Sequence, residues 1–411
     1  MITDTHTPAG AARALRSTTA VRERSQQLLA RARAGESEGF SVNDGALALA
    51  ATTVAELTRA RFPDGGIPYH SRWRHFEAGQ VDRAGQLDAL LGPVDAAARA
   101  RAQIDLALVS VLLDAGAGPR WSYHEAASGQ GFARSEGLGV ASFHAFTSGL
   151  FSSDPAQPLQ ADAAGLASLT AAQLGAAFQV SEDNPLVGLE GRAALLRRLG
   201  AVLSTQPVVF GAAGRPGGLF DALTANGAGT VVAHDILVLL LDTLSGIWPA
   251  QNAIGDLALG DCWPHPAVQG EGLTAGWVPF HKLSQWLSYS LLEPFEWAGV
   301  RVTGLDALTG LPEYRNGGLL IDAGVLRPLP ADWATRDWQA GDAFIVEWRA
   351  LTVALLDELA PLVRTELGVS AEQMPLACVL EGGTWATGRL LAQRLRDGLP
   401  PLNIVSDGTV V

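Results

Sequence analysis

Three polar side chains in a row, Glu313, Tyr314 and Arg315, lie in the stretch LTGLPEYRNGGLLIDAGVL, between an apolar Leu-Pro and Asn316 followed by two glycines. Pro312 biases the residue before it away from helix, and Gly317 and Gly318 relax the backbone after the triplet. Glu313 and Arg315 are therefore expected to project from a fixed bend, on either a chemical site or a polar surface turn. A second candidate lies in FIVEWRALTVALLDELAPL, which reads as a helix apolar nearly all round with Glu347 and Arg349 in its first turns. A buried carboxylate is costly unless paired and tends to have a shifted pKa, so this pair suits either acid–base chemistry or a structural ion pair. The third is PFHKLSQWLSYSLLEPF, where Phe280, Leu283, Leu287 and Leu291 share one helical face while Lys282, Gln285, Trp286, Tyr289 and Glu293 share the opposite one. Aromatic area beside a cation and hydrogen-bonding groups suits a ligand wall, or a face packed on a neighbouring element.

These residues must be positioned by helices. ALRSTTAVRERSQQLLARARAG reads as one helix ending at Gly35, and DGALALAATTVAELTRARF as another. SLTAAQLGAAFQV has Ser168 or Thr170 as a cap, and LEGRAALLRRLGAVL is amphipathic through Leu189, Leu195, Leu196 and Leu199. Strand patterns are few and short, so the expected fold is mainly α, a single large helical domain. The stretches PDGGIPYH, AGAGPRW and GAAGRPGGLF read as loops between helices, since apolar segments resume at once.

Over 411 residues, with nearly half of them apolar, the chain can bury a substantial core. A formal charge of -13 argues against gripping polymeric nucleic acid, whose phosphates demand cations, but leaves room for a small phosphorylated ligand. Two cysteines far apart, Cys262 and Cys378, give no disulfide framework and fit a reducing compartment. The opening residues lack a signal-peptide layout, and the most apolar run, Val231 to Trp248, carries His234, Asp235 and Asp242; a cytoplasmic protein without a membrane span is expected. Weaker candidates are HSRWRHFEAG, with Arg72, Arg74 and His75 around Trp73 and Phe76, and DCWPHP, whose Asp261, Cys262 and His265 fall short of a zinc set. P-loop, G-x-S-x-G and H-E-x-x-H patterns are absent from the sequence.

HSRWRHFEAG, PFHKLSQWLSYSLLEP, LTGLPEYRNGG, VEWRALTVALLDEL and EGGTWATGRLLAQRL together identify the chain as resembling the uracil-catabolism family, once filed as a domain of unknown function. That resemblance implies a pyrimidine pathway shared with a uracil phosphoribosyltransferase and a GTP cyclohydrolase II-like enzyme. Between about Asp105 and Leu359 the order of EGLGVASFHAF, LTAAQLGAAF, NPLVGLEGRAALLRRLG, VPFHKLSQWL, LTGLPEYRNGGLLIDAGVL and VEWRAL is also similar to the queuosine-5′-phosphate N-glycosylase family. Those proteins resemble helix-hairpin-helix DNA glycosylases in fold and cleave a base from ribose 5-phosphate. The resulting division is an N-terminal helical segment (1–104), a glycosylase-like core (105–370) and a C-terminal helix and tail (371–411).

By this resemblance Glu313 takes the place of the catalytic carboxylate, although the relatives carry Asp there and lack the Asn-Gly-Gly that follows Arg315. Its role as nucleophile, base or electrostatic stabiliser stays open. Glu347 would bind ribose hydroxyls or act as the second carboxylate. Tyr314 or Arg315 would hold Glu313 or the hydroxyls. Lys282, with His281 or Arg349, would bind the 5′-phosphate, and Trp286 belongs to the ligand wall. Asp114, Trp121 and His144 correspond to the region around the base. No metal or organic cofactor is implied. The expected reaction is release of ribose 5-phosphate from a ribosylurea-like phosphate or another uridine-nucleotide derivative. The competing reading is a non-catalytic partner or ligand carrier for the cyclohydrolase-like enzyme. An amidohydrolase is disfavoured by the missing metal cluster and nucleophile triad.

Overall fold

Ser17 divides what reads as a single N-terminal helix. Its hydroxyl accepts from the Ala20 amide at 3.2 Å, capping a new helix two residues after the previous one has ended. The computed structural model describes residues 4–248 and 252–405. The principal helices are α1 (Pro8–Leu15), α2 (Thr18–Arg33), α3 (Leu47–Arg61), α4 (Ala96–Leu112), α5 (Arg134–Thr147), α6 (Leu189–Ser204), α7 (Lys282–Trp297), α8 (Tyr314–Asp322), α9 (Ala343–Leu367) and α10 (Trp385–Arg396). Thr170 caps the short Ala171–Ala177 helix in a capping box with Gln173. Among the described residues, strands occur only as two-stranded pairs, such as Phe40–Val42 antiparallel to Leu326–Pro328 and Cys262–Pro264 antiparallel to Trp277–Pro279. The fold is mainly α, a single helical domain, as its sequence predicts.

The described residues fall into two compact units, discontinuous in sequence: residues 4–70, 252–285 and 304–405, and residues 71–248 and 286–303. This division groups contacts, whereas the linear one at 104 and 370 groups motifs, and the two cut the chain at different places. In the first unit α9 packs against α2 and α3, and α8 against α10. Its core joins Val21 and Leu28 of α2 to Val278, Phe280, Val346, Ala350 and Val353. In the second, α4 packs on α5, and Ala102 to Leu113 are all buried. The seam falls inside α7, after Gln285.

Candidate functional site

Glu313 is the N-cap of α8. Its extended backbone (φ -120°, ψ 167°) lets Oε1 accept from the Asn316 amide at 2.6 Å and Oε2 from the Arg315 amide at 2.7 Å. A glutamate here, where shorter side chains are usual, satisfies two of the helix's orphan N–H groups and meets the positive end of its dipole. The glycines that follow serve close approach. A Cβ on Gly317 would stand 2.5 Å from the Trp348 ring of α9, whose Nε1 donates to the Gly317 carbonyl at 3.2 Å. The bend thus fixes a half-buried carboxylate at a helix end. Burial raises its pKa; the two amides, and the charges of Lys282 and His70, pull it back part of the way.

Arg349 braces that bend. Its guanidinium pairs bidentately with Asp261 (2.8 and 2.7 Å), lies over the Phe280 ring at 4.1 Å, and directs Nε to the Pro312 carbonyl at 3.4 Å, one residue before Glu313. Asp261 also accepts the Lys282 amide at 2.9 Å, capping α7, and the Trp263 indole N–H at 2.8 Å. Burial opposes ionisation of Asp261, but Arg349 and these donors overcome it and hold the carboxyl down at about 2. One ion pair therefore ties the start of α7, which carries Lys282, to the loop that delivers Glu313. With its guanidinium so engaged, Arg349 positions other groups. His281 is buried, bonds the Leu15 carbonyl through Nε2 at 3.0 Å and has φ +50°; its imidazole serves the loop that starts α7.

Two further residues belong here that the sequence reading did not select. His70 is close enough to Glu313 for its charge to lower that carboxyl's pKa, and its Nδ1 lies 2.8 Å from Oε2 of Glu381. The two stand 311 positions apart. The available signal was their place in HSRWRHFEAG, a weaker candidate for Arg72, Arg74 and His75 rather than for His70, and in EGGTWATGRLLAQRL, to which no role was given.

Other expected site residues lie elsewhere. Glu347 and Arg349, two positions apart on α9, point to different neighbours: Glu347 accepts from the Ser37 hydroxyl at 2.5 Å, and burial raises its pKa. Arg315 is buried beneath the half-exposed Tyr314 ring (4.7 Å) and donates to the Gly398 carbonyl at 3.2 Å. The polar face of α7 is largely buried within the protein, with Gln285, Trp286, Tyr289 and Glu293 all enclosed. Gln285 accepts from the Thr309 amide at 3.3 Å.

In the second unit Trp286 packs edge-on to His75 (5.7 Å) beneath Arg72, whose guanidinium meets Asp114 at 3.1 Å. Burial works against the Asp114 carboxylate, yet Arg72, with His75, Ser135 and Arg192, holds its pKa below the usual range. Glu293 meets Ser71 (2.5 Å) and Arg74 (2.6 Å), and burial pushes its carboxyl up to about 7. Trp121 is a core residue stacked on Phe178, with its indole N–H on the Phe178 carbonyl. His144 pairs with Glu125 at 2.6 Å, and Glu125 is also held by the buried Arg83. Ser135 beside Asp114 and His144 both ride on α5, about 13 Å apart along its axis at the usual helical rise. Asp114, Trp121 and His144 thus have separate partners.

The first unit, by contrast, gathers a carboxylate of raised pKa, an ammonium and an imidazole around one helix end. This defines a helical protein with a candidate acid–base site. A family model described as "Protein of unknown function (DUF1688)" matches residues 14–411, and the chain belongs to that family. It is 40% identical to "Protein urg3" of Schizosaccharomyces pombe over 400 residues, covering 95% of this chain and 96% of that protein. It is also 40% identical to "Uracil catabolism protein 4" of Lachancea kluyveri over 376 residues, covering 84% of this chain and 85% of the relative. This is the family indicated by the five sequence motifs.

No helix among the described residues is long and apolar enough to cross a membrane.

Proposed function

We propose that the chain acts in uracil catabolism as an N-glycosidase, hydrolysing the N-ribosidic bond of a ribosylurea-like or other uridine-derived 5′-phosphate. A relative named for uracil catabolism supports the pathway. The ordered similarity of its motifs to queuosine-5′-phosphate glycosylases supports the reaction class. The observation that carries the reading is Glu313: an oriented carboxylate with a pKa raised by burial, close enough to Lys282 and His70 for their charges to act on it.

Cleavage of an N-riboside builds positive charge at the anomeric carbon, which an adjacent carboxylate stabilises while it attacks or takes a proton from water. Glu313 fills that role. Lys282 supplies the cation for the 5′-phosphate as a point charge. Asp261 and Arg349 set the separation of these two groups.

A carrier for the product of a cyclohydrolase-like enzyme is the second reading. It is favoured by one fact: both oxygens of Glu313 already serve the helix cap. The test offers purified protein uridine 5′-phosphate and ribosylurea 5′-phosphate, following ribose 5-phosphate release and ligand binding together. Binding with turnover supports the glycosidase; binding without turnover supports the carrier.

A further inference from the structure

The sequence LEGGT, which the proposed reaction leaves without a task, forms a π-helical turn over Leu380–Thr384 between the short Leu376–Val379 helix and α10. Such wide turns are uncommon and recur at functional sites. This one is pressed against α3: a Cβ on Gly383 would lie 2.5 Å from both Thr58 Oγ1 and Val54 Cγ1, and one on Gly382 would lie 3.1 Å from Thr58 Cγ2. Only glycine fits so close, and the turn places the Glu381 side chain beside His70.

That contact is tightly specified. Glu381 Oε2 meets His70 Nδ1 at 2.8 Å, while Oε1 accepts from Arg61 Nη2 at 3.1 Å. Arg61 Nη1 also holds the carbonyls of Glu381 and Gly382, clamping the turn to the end of α3. His70 is buried, its backbone amide donates to the Ala377 carbonyl at 3.0 Å, and its ring lies 6.4 Å from that of Trp385. Burial disfavours the charge of Glu381, but His70 and Arg61 outweigh it and keep the carboxyl below its ordinary range. Glu381 is thus an ionised partner for the imidazole. With Nδ1 engaged by Glu381, Nε2 is the nitrogen available to a substrate.

On the glycosidase reading, we infer that His70 is the general acid that protonates the leaving nitrogen, and that Glu381, set by the π turn, is its positioning residue. The C–N bond breaks with its electron pair going to nitrogen, which takes the proton from His70 Nε2. Water adds its oxygen to the anomeric carbon and gives its proton to Glu313. The products are ribose 5-phosphate and a neutral amide. His70 then regains a proton from solvent and Glu313 releases one, which closes the cycle. Lys282 and Arg61 are the cations, and Glu313 and Glu381 the carboxylates, that set the field around this imidazole.

The test is the pH dependence of kcat for ribose 5-phosphate release by wild type, His70→Asn and Glu381→Gln, each checked for thermal unfolding. The inference expects His70→Asn to lose about 10²-fold to 10⁴-fold in kcat together with the alkaline limb of the profile. Glu381→Gln should lower kcat by about 10-fold or more with KM little changed, since the imidazole loses the carboxylate that orients its Nδ1. Wild-type turnover with both limbs intact in His70→Asn overturns the inference and leaves the glycosidase reading standing. Absence of wild-type turnover overturns the reading and the inference with it. Should His70→Asn fail to fold, an unchanged kcat in the near-isosteric Glu381→Gln overturns the assignment.

Discussion

Glu313 and Glu347 are glutamates of the same unit, each with a carboxyl raised by burial, yet their surroundings differ in kind. Glu347 receives a single hydroxyl, that of Ser37, which also accepts from the Gly39 and Phe40 amides at 3.0 Å each. Gly39 backs so closely onto it that a Cβ there would stand 2.7 Å from Oε2. Glu347 therefore fastens a turn, the one that starts strand Phe40–Val42. Glu313 is held by rigid backbone donors, with Lys282 and His70 acting on its charge and Arg349 bracing the residue before it. The lesson is that neither a raised carboxyl pKa nor a nearby cation marks a site, since the charge of Arg31 acts on Glu347 as well; the two backbone amides that orient Glu313 at a helix end separate these two.

The comparison can be sharpened by substitution, beginning with its brace. Arg349→Met leaves Asp261 buried without its guanidinium and should cost about 3–5 kcal/mol in urea unfolding at neutral pH, the range for breaking a buried pair. The same pair predicts acid sensitivity. Asp261 has a folded pKa depressed to about 2, so its contribution is fully present above its ordinary value, roughly 4, and is lost as pH falls through about 2. Unfolding midpoints measured from pH 5 to pH 2 should show this fall in wild type.

Lys282→Gln should raise KM for a 5′-phosphorylated substrate by about 10-fold to 100-fold, with a smaller change in kcat, as expected on losing one charged contact to the phosphate. An equal fall in kcat with KM unchanged would shift Lys282 from phosphate binding to the chemical step. The smallest effect is expected at Glu347. Replacement by Gln keeps an acceptor for Ser37, so stability should change by about 1 kcal/mol or less and turnover by less than about 2-fold. A loss of activity there comparable to that at Glu313 would erase the distinction between the two carboxylates.

Local chemistry made much of the scaffold legible. Apolar periodicity places α6, and the near-continuous apolar run of α9 is buried from Phe344 to Leu356. Thr170 is one of two readable caps, and the structure settles on it, closing a capping box with Gln173. The opening bend is readable from Pro312 and the two glycines, but the cap itself is not, because glutamate is an unusual residue at that position. Long-range pairing was hidden. Arg349 looks in sequence like the partner of nearby Glu347, whereas it pairs with Asp261, 88 positions away, because α9 turns residues two apart toward different neighbours. His70 and Glu381 lie at opposite ends of the chain's sequence and are joined through a π turn that no helical periodicity announces. The mixed face of α7 meets the same limit: periodicity shows which residues share a face, not whether protein or ligand covers it.

The central claim is that Glu313, and not Glu347, carries chemistry. Its most direct test is single-turnover release of ribose 5-phosphate from bound ribosylurea 5′-phosphate by wild type, Glu313→Gln and Glu347→Gln at matched occupancy. The account predicts a rate loss of about 10³-fold or more in Glu313→Gln, with binding retained and Glu347→Gln close to wild type. Release by Glu313→Gln at the wild-type rate would contradict it.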